Sequence, residues 1–227
     1  MCELTILIPC LNEAETVGAC VRQALSFLKE NAIAGEVLVV DNGSSDESGD
    51  AAQSAGARVV KEKAQGYGAA LITGTREALG RYVIMGDADG SYDLSALMPF
   101  VERLREGYEL VMGDRFAGGI DDGAMPFLHR YVGDPVLSAI GRRFFNSEVR
   151  DFHCGLRGYD REAVAGLGLG STGFEYASEM VARCELAGFS IAQVPVELHR
   201  DGRISGHSHI RTLRDGVRHL RLMLSLR

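Results

Sequence analysis

The segment VIMGDADGSYD, residues 83–93, runs from an apolar stretch directly into two aspartates that are one residue apart. A carboxylate without a partner is costly inside an apolar core, so aspartates at the end of a buried strand are either solvated turn residues or ligands of a positive group. For an Asp-x-Asp pair considered alone, the solvated turn is the more common explanation. The neighbouring segments are needed to decide between the two.

Short runs rich in β-branched residues flank a helical pattern in the first 41 residues. Residues 4–9 and 36–41 are too continuously apolar for strands with one solvated face, which predicts buried parallel strands. Apolar residues at helical spacing between them predict a helix over residues 17–28. Asn12 is its predicted N-cap, with Glu15 as the capping-box partner.

The same alternation continues to about residue 115. Further strands are predicted at residues 57–62, 81–89 and 109–115, with helices at residues 67–80 and 94–107. Such alternation predicts an α/β fold with a Rossmann-like, mainly parallel sheet and helices on both faces. In sheets of this kind, ligands bind beyond the carboxyl ends of the strands.

The second half of the chain has a less regular pattern. It predicts a helix near residues 125–145, a polar segment at residues 150–160, a helix within residues 172–188 and a strand at residues 191–198. We expect these elements to pack on the same sheet, as an extension of one domain rather than as an independent domain.

Composition places the chain among globular proteins. Its 227 residues are 46% hydrophobic, enough to bury a large core. No run of 18 apolar residues is present and the N-terminal segment lacks signal-peptide features, which predicts a cytoplasmic protein, with the inner face of the membrane as a candidate location. Five cysteines without a Cys-x-x-Cys pair favour reduced thiols over disulfides or a zinc site.

The charge is unevenly distributed along the chain. The net charge of −7 argues against a nucleic-acid partner, yet residues 199–227 contain seven arginines and two aspartates. Within residues 211–227, a basic amphipathic helix is predicted. Its apolar stripe can pack on the domain or lie on an anionic lipid surface, and the sequence leaves both open. The stripe consists of Leu213, Val217, Leu220 and Leu224.

Aspartates follow three of the predicted strands, at Asp41, at Asp87 with Asp89, and at Asp114. The chain contains neither a complete dinucleotide-binding fingerprint nor a P-loop lysine motif. Acidic strand ends instead suit Mg²⁺ or Mn²⁺, which prefers one or two carboxylates together with substrate phosphate oxygens. We therefore predict a metal and diphosphate site there. Nucleotidyl transfer is disfavoured because the loop after the first strand is acidic, and a non-catalytic sugar-nucleotide sensor is a further alternative.

Several motifs occur together in an order that resembles the family 2 glycosyltransferases. In the first half these are TILIPCLNEAETV, VLVVDNGSSDES, GYGAALITG, MGDADGSYD and VMGDRF. The second half is similar to the branch that contains dolichol phosphate mannose synthase and bacterial polyprenyl-phosphate glycosyltransferases. Its motifs are RDFHCGLRGYDRE, TGFEYASEM, VPVELHRDGR and LRDGVRHLR.

The resemblance implies a GT-A fold and an inverting transfer of a hexose. The donor would be a nucleoside diphosphate sugar of the GDP-mannose or UDP-glucose type, and the acceptor a polyprenyl phosphate. One domain, residues 1–227, would comprise a donor and metal half (1–118), an acceptor-side half (119–210) and the basic helix (211–227). A homo-oligomer is possible.

The resemblance also implies roles for individual residues. The nucleotide sugar would contact Pro9, Leu11, Glu13, Asp41, Asn42, Gly66, Asp87, Ala88 and Asp89. Asp87 and Asp89 would hold the metal. Catalytic roles would fall to Asp89, Arg115, Asp151 and Glu175. The acceptor phosphate would contact Arg115, Arg130, Arg200 and Arg203. Asp134 stands where some relatives have a serine, which argues against phosphate binding by that turn.

The acceptor class is left open by the residues themselves. A phosphate acceptor is already ionised at pH 7 and needs only positioning by arginine, whereas a hydroxyl or amine acceptor needs a base. Asp151, His153 and Glu175 are the candidates for that base. Glu175 and Glu179 lie four residues apart on a predicted helix, and such pairs are usually solvated.

The basic segment HRDGRISGHSH, residues 199–209, has two interpretations. His207 and His209 form a His-x-His pair that could bind a metal, but no third ligand is evident. A basic loop that closes over the diphosphate is the favoured interpretation.

Overall fold

The structure is a computed structural model that describes residues 2–203 and 212–227. Within them, eight strands form one sheet. They are β1 (Leu4–Cys10), β2 (Gly35–Asp41), β3 (Arg58–Lys61), β4 (Tyr82–Met85), β5 (Leu110–Asp114), β6 (Gly119–Ile120), β7 (Arg157–Asp160) and β8 (Ile191–Leu198). Their order across the sheet is β3-β2-β1-β4-β7-β5-β8-β6.

The sheet is mainly parallel, as the sequence predicts. β1 pairs in parallel with both β2 and β4, and β5 pairs in parallel with β8. β7 is antiparallel to its neighbours β4 and β5. Both β4 and β5 therefore run in the same direction as β1 and β2, and the carboxyl ends of these four strands lie at one edge of the sheet.

Helices cover both faces of the sheet. They are α1 (Val17–Glu30), α2 (Ser48–Ser54), α3 (Tyr67–Glu77), α4 (Met98–Arg105), α5 (Arg115–Gly118), α6 (Asp134–Phe145), α7 (Arg161–Ala165), α8 (Tyr176–Leu186) and α9 (Thr212–Ser225), with a π-helical turn at His129–Gly133. α1, α2 and α4 pack on one face, and α3, α6, α7, α8 and α9 pack on the other.

Two hydrophobic cores explain the continuous apolar runs of the strands. Ile6 and Ile8 of β1 belong to the core on one face, while Leu7 belongs to the core on the other. All seven residues of β1 are buried. Alternate side chains of a strand point to opposite faces, so a strand covered on both faces has no solvated positions.

The predicted N-terminal cap of α1 is wrong. The helix begins at Val17, and Asn12 lies outside it in the left-handed region, with φ of 57°. The Asn12 side chain instead accepts a hydrogen bond from the backbone N–H of Ser45, at 2.8 Å. This contact joins the loop after β1 to the loop after β2, at the edge of the sheet where a ligand is expected.

β7 lies within residues 150–160, which were predicted only to be a polar segment. The strand has four residues and begins with Arg157, which is fully buried. The Arg157 guanidinium donates to the carbonyl oxygens of Phe152 and Cys154, at 3.3 and 2.6 Å. Because backbone carbonyls satisfy its donors, this charged residue can occupy a strand that has no apolar signature.

α9 packs on α8 and α6 with a polar face inward. Asp215, His219 and Met223 are buried, whereas Val217 and Leu224 of the apolar stripe are 48% and 54% exposed. Val217, Leu220 and Leu224 therefore face away from the domain. In the described parts of the chain, no helix has the length and apolar character needed to cross a bilayer.

Candidate active site

The predicted metal ligands follow β4. Asp87 Oδ1 accepts a hydrogen bond from the Tyr67 hydroxyl, at 3.0 Å. Gly155 packs so closely against Asp87 that a Cβ at this position would lie 2.3 Å from Asp87 Oδ2, so only glycine fits there. Asp89 Oδ1 accepts from the backbone N–H of Ser91. Both carboxylates are thus held in place, and each has further acceptor capacity for a cation.

Two nearby carboxylates make this strand end electrostatically unfavourable without a cation. Burial and the neighbouring Asp89 carboxylate raise the pKa of Asp87 above its ordinary value, although Tyr67 and two arginines act in the opposite direction. Within residues 2–203 and 212–227, no group of three or more His, Cys, Asp or Glu side chains is arranged to hold a metal ion. A donor set of two carboxylates fits Mg²⁺ or Mn²⁺ that is completed by phosphate oxygens and water.

Arg203 lies beside the predicted metal ligands. Its Nε is 2.9 Å from both carboxylate oxygens of Glu13, and its NH2 is 3.4 Å from Asp89 Oδ2. The backbone N–H of Gly202 donates to the Asp89 carbonyl, at 2.7 Å. A guanidinium therefore stands next to the acidic pair, at the position where positive charge is expected.

Arg200 is directed elsewhere. Its Nε donates to the backbone carbonyl of Asp122, and its side chain is exposed. The structure thus does not bring Arg200 together with Arg203, although the sequence analysis grouped both on the acceptor phosphate. His207 and His209 lie outside the described residues.

The loop after β2 holds the loop before α3. Asp41 Oδ1 accepts from the backbone N–H of Ser44, at 2.9 Å. The Asn42 side chain donates to the Ala64 carbonyl and accepts from the Gly66 N–H, at 2.8 and 2.7 Å. Gly66 has φ of 142°, and a Cβ there would lie 2.1 Å from the Thr172 carbonyl. Asn42 and Gly66 therefore support the position of the α3 N-terminus.

The remaining predicted nucleotide contacts surround this edge. Pro9 and Ala88 are buried and Leu11 is partly exposed. The backbone N–H of Glu13 donates to Ser48 Oγ, at 2.8 Å. Of Pro9, Leu11 and Ala88, only Leu11 has a side chain that is open to solvent. Pro9 and Ala88 can therefore contribute to a nucleotide site through its shape or through their backbone groups.

Arg115 forms a buried ion cluster directly after β5. Its Nε and NH2 bind the two oxygens of Asp151, at 2.6 and 2.8 Å, and the same NH2 is 3.0 Å from Asp134 Oδ2. Asp151 is fully buried. Burial opposes the charge on Arg115, but the Asp151 carboxylate raises the pKa of the guanidinium well above its ordinary value. Both carboxylate oxygens of Asp151 accept hydrogen bonds from Arg115, so Asp151 is an ion-pair partner of Arg115 rather than a free general base.

The predicted second phosphate contact, Arg130, lies on the π-helical turn. It is partly exposed, and its guanidinium carbon is 5.5 Å from the centre of the Tyr131 ring. Asp134 follows one helical turn later, and its carboxylate binds Arg115. The aspartate that replaces a serine thus adds negative charge to the Arg115 cluster.

Glu175 and Glu179 are both buried, so the expectation that this pair is solvated is wrong. Glu175 Oε1 is 2.6 Å from Arg218 NH2, and among the described residues Glu175 Oε2 has no hydrogen-bond partner. Glu179 accepts from the backbone N–H groups of Gly170 and Ser171. Glu179 therefore holds the loop before α8, while Glu175 contacts α9.

Sequence reasoning missed three residues that shape the site. Tyr67 orients Asp87, and the Tyr92 hydroxyl accepts from the backbone N–H of Gly155, at 3.1 Å. Arg157 holds the carbonyls of the same segment. Residues 151–155 thus run from the Arg115 partner Asp151 to Gly155, which touches Asp87. Tyr67 and Tyr92 lie within the GYGAALITG and MGDADGSYD motifs, the only sequence signal that could have pointed to them.

Comparison with known proteins identifies the family. Residues 5–168 match the family described as Glycosyl transferase family 2. The chain belongs to glycosyltransferase family 2. This match covers most of the chain, including the acidic strand ends and the Arg115 cluster, and it confirms the relationship that the sequence motifs indicate.

Two relatives with assigned activities are proteins of Haloferax volcanii. The chain is 34% identical to the low-salt glycan biosynthesis hexosyltransferase Agl6 over 222 residues, which are 97% of this chain and 53% of that protein. It is 29% identical to a dolichyl-phosphate hexose transferase over 195 residues, 86% of this chain and 82% of that protein. The chain thus spans about half the length of the first relative and most of the second.

A solved structure shows the same fold. The glucosyl-3-phosphoglycerate synthase of Mycobacterium tuberculosis, crystallised with Mn²⁺, UDP and glucosyl-3-phosphoglycerate, aligns with a TM-score of 0.74. The alignment covers 99% of this chain and 79% of that chain, at 23% sequence identity. The fold of this glycosyltransferase is therefore GT-A, as the resemblance implied.

Proposed function

We propose that this glycosyltransferase is a metal-dependent, inverting enzyme that transfers a hexose from a nucleoside diphosphate sugar to a polyprenyl phosphate. The proposal rests on the observation that residues 151–155 connect two charged clusters, the Asp87 and Asp89 pair and the ion cluster of Arg115. Asp87 of the acidic pair lies against Gly155 at one end of residues 151–155, and Arg115 binds Asp151 at the other end. The dolichyl-phosphate hexose transferase among the relatives supports a lipid-phosphate acceptor.

The donor side would be formed by the acidic pair. Asp87 and Asp89 would hold Mg²⁺ or Mn²⁺, which when bound neutralises charge on the departing diphosphate. Arg203 already contacts Asp89 and Glu13. It can exchange these carboxylates for a phosphate oxygen of the donor, since arginine binds phosphate and carboxylate with the same geometry. Interactions that strengthen as the leaving group gains charge accelerate the reaction.

The acceptor side would be formed by the Arg115 cluster. A phosphate acceptor is already an anion, so the protein has to position it rather than remove a proton. Asp151 fixes the plane of the Arg115 guanidinium through two hydrogen bonds. In this proposal, Asp151 acts by orienting Arg115, and Glu175 acts through its contact with α9.

The direct test is a donor and acceptor screen with purified protein. With Mn²⁺, we expect nucleoside diphosphate release from one UDP- or GDP-hexose, dependent on polyprenyl phosphate, with the sugar recovered in the organic phase. The unphosphorylated polyprenol is the matched acceptor control and should be inactive. The absence of turnover with every donor, combined with no metal-dependent nucleotide binding, would overturn the proposal.

One observation favours a second candidate, a soluble hydroxyl or amine acceptor. Glu175 Oε2 is buried and has no hydrogen-bond partner in the part of the chain that the structure describes, so it would be the base available to a hydroxyl.

Substitution of Asp134 separates the two acceptor classes. If a phosphate acceptor binds Arg115, Asp134→Ser should lower the KM for polyprenyl phosphate about tenfold, because one competing carboxylate is removed. The KM for a neutral hydroxyl acceptor should stay unchanged. Steady-state kinetics with both acceptors provide the measurement, and an unchanged KM for polyprenyl phosphate would favour the hydroxyl class.

α9 supports a location at the inner face of the membrane. Its exposed residues include Val217, Leu220 and Leu224 together with Arg214 and Arg221. An apolar stripe bordered by arginines suits an anionic lipid surface. This placement would bring the enzyme to a lipid acceptor.

Vesicle flotation tests the lipid contact. Leu220→Glu combined with Leu224→Glu should lower binding to anionic vesicles at least about tenfold, because it puts two negative charges on the stripe. Leu79→Glu is the control, since Leu79 is 63% exposed and lies outside α9, in the loop between α3 and β4. Equal flotation of all three proteins would argue against the contact.

A further inference from the structure

Polar contacts attach α9 to α8. Arg218 NH2 is 2.6 Å from Glu175 Oε1, next to the first residue of α8. One residue further along α9, His219 Nδ1 is 2.7 Å from Ser178 Oγ. His219 and Ser178 are both buried. The helix that carries the exposed apolar stripe is therefore docked through a hydrogen bond that solvent does not reach.

The Ser178 hydroxyl also links this contact to the candidate active site. Ser178 Oγ also lies 3.1 Å from His153 Nε2, and the two imidazole rings meet edge to face with centroids 4.7 Å apart. The backbone N–H of His153 donates to Asp151 Oδ1, at 3.2 Å. Asp151 in turn holds Arg115. A continuous path thus runs from α9 through Ser178, His153 and Asp151 to the Arg115 guanidinium.

His153 occupies the middle of the segment that joins the two charged clusters. Arg157 holds the carbonyls on either side of His153, and Tyr92 holds the N–H of Gly155. These contacts fix the backbone of residues 151–155 from the sheet side. The imidazole of His153 connects this segment to α8 through Ser178 and to α9 through His219.

His219 acts in this path as a neutral group. Burial lowers the pKa of the imidazole to about 4. Glu175 and Asp215 oppose this change, whereas Arg157 and Arg218 add to it. At neutral pH, His219 is therefore a hydrogen-bonding imidazole rather than an ion-pair partner of Glu175.

We propose that His219 is a positioning residue, which couples the docking of α9 to the placement of Asp151 and Arg115. The inference rests on the proposed function in taking Arg115 as the acceptor-side group. Its consequence is that the helix facing the lipid surface also orders the site where the lipid phosphate would react. Loss of the His219 contact should therefore disturb the acceptor side and spare the nucleotide side.

Hydrogen exchange followed by mass spectrometry tests the path without substrates. In His219→Phe, amide exchange of a peptide covering residues 151–155 should be about fivefold faster, as expected when one hydrogen bond is lost. His219→Asn places an amide nitrogen near the position of Nδ1 and should restore slow exchange. Leu186→Ala, at an exposed residue of α8, is the control and should exchange as the wild type does.

Ser178→Ala tests whether the residues act as one path. It should produce the same increase as His219→Phe, and the double variant should be no faster than either single variant. The inference is overturned if exchange at residues 151–155 is unchanged in His219→Phe, or if the effects of the two substitutions add.

Kinetics supply the second readout. His219→Phe should lower kcat/KM for the acceptor about tenfold and leave Mn²⁺-dependent nucleotide affinity within about twofold, with rescue by His219→Asn. An equal loss in nucleotide affinity would indicate a general structural role and would overturn the inference. If the wild type shows no turnover, the proposed function fails, and the exchange experiment alone decides the inference.

Discussion

Asp89→Asn is expected to reduce sugar transfer about a thousandfold, which corresponds to about 4 kcal/mol in the barrier. The substitution preserves side-chain volume but removes the charge that would hold a cation against the diphosphate. It also removes one of the carboxylates beside Arg203 NH2, 3.4 Å away, while Glu13 remains in contact with this arginine. Turnover and Mn²⁺-dependent nucleotide affinity should fall together, and both are measurable on the same preparation.

Asp93→Asn is the matched control for this experiment. Asp93 lies four residues further on and is exposed, and among the contacts that the structure shows its carboxylate accepts hydrogen bonds only from Ser95. The substitution removes the same charge from the same loop and should change turnover less than about threefold. If both variants lost activity, the charge of the loop in general rather than Asp89 would be responsible. If neither lost activity, the Asp89 carboxylate would not be needed for transfer, and either result would contradict the proposed metal site.

Arg115→Lys is expected to lower kcat/KM for the acceptor about a hundredfold. Lysine retains the positive charge but cannot bind Asp151 in the two-point geometry seen here while also reaching Asp134. The change also weakens a buried ion pair, so the free energy of unfolding should fall by about 3 kcal/mol. Steady-state kinetics and denaturant unfolding measure the two effects.

Stability and catalysis can be separated at this site. Arg103→Lys is the control, because Arg103 pairs with Glu106 on the exposed surface of α4 and its loss should be nearly neutral. Nucleotide binding by Arg115→Lys should remain close to that of the wild type at a temperature where the protein is folded. A variant that folds and retains full acceptor kinetics would contradict the role of Arg115.

The centre of the sheet could be predicted because β1, β4 and β5 are buried on both faces. Continuous apolar runs such as that of β1 have no other common explanation, and the helices between them repeat at regular spacing. β7 was not predicted because it is short and contains a buried arginine, whose hydrogen-bond donors are satisfied by backbone carbonyls. α2 was not predicted because its seven residues have no apolar stripe.

The sequence predicts a site residue only where that residue is close in the chain to the strand or helix that positions it. The two aspartates after β4 are adjacent to their strand, so the sequence places them. The contact of Arg203 with Glu13 joins residues 190 positions apart, and no local pattern indicates it. Similarly, the direction of the α9 stripe depends on Ser178 and Glu175, which make the inner face of that helix polar.

The central claim is that Asp87 and Asp89 hold a divalent cation against the diphosphate of the donor. A crystal structure with Mn²⁺ and the nucleoside diphosphate, recorded with anomalous scattering, tests it most directly. We predict a manganese peak about 2.1 Å from a carboxylate oxygen of Asp89 and from a phosphate oxygen, with Arg203 turned away from Glu13. A bound nucleotide whose phosphates lie away from Asp89, with no anomalous peak between them, would contradict the account.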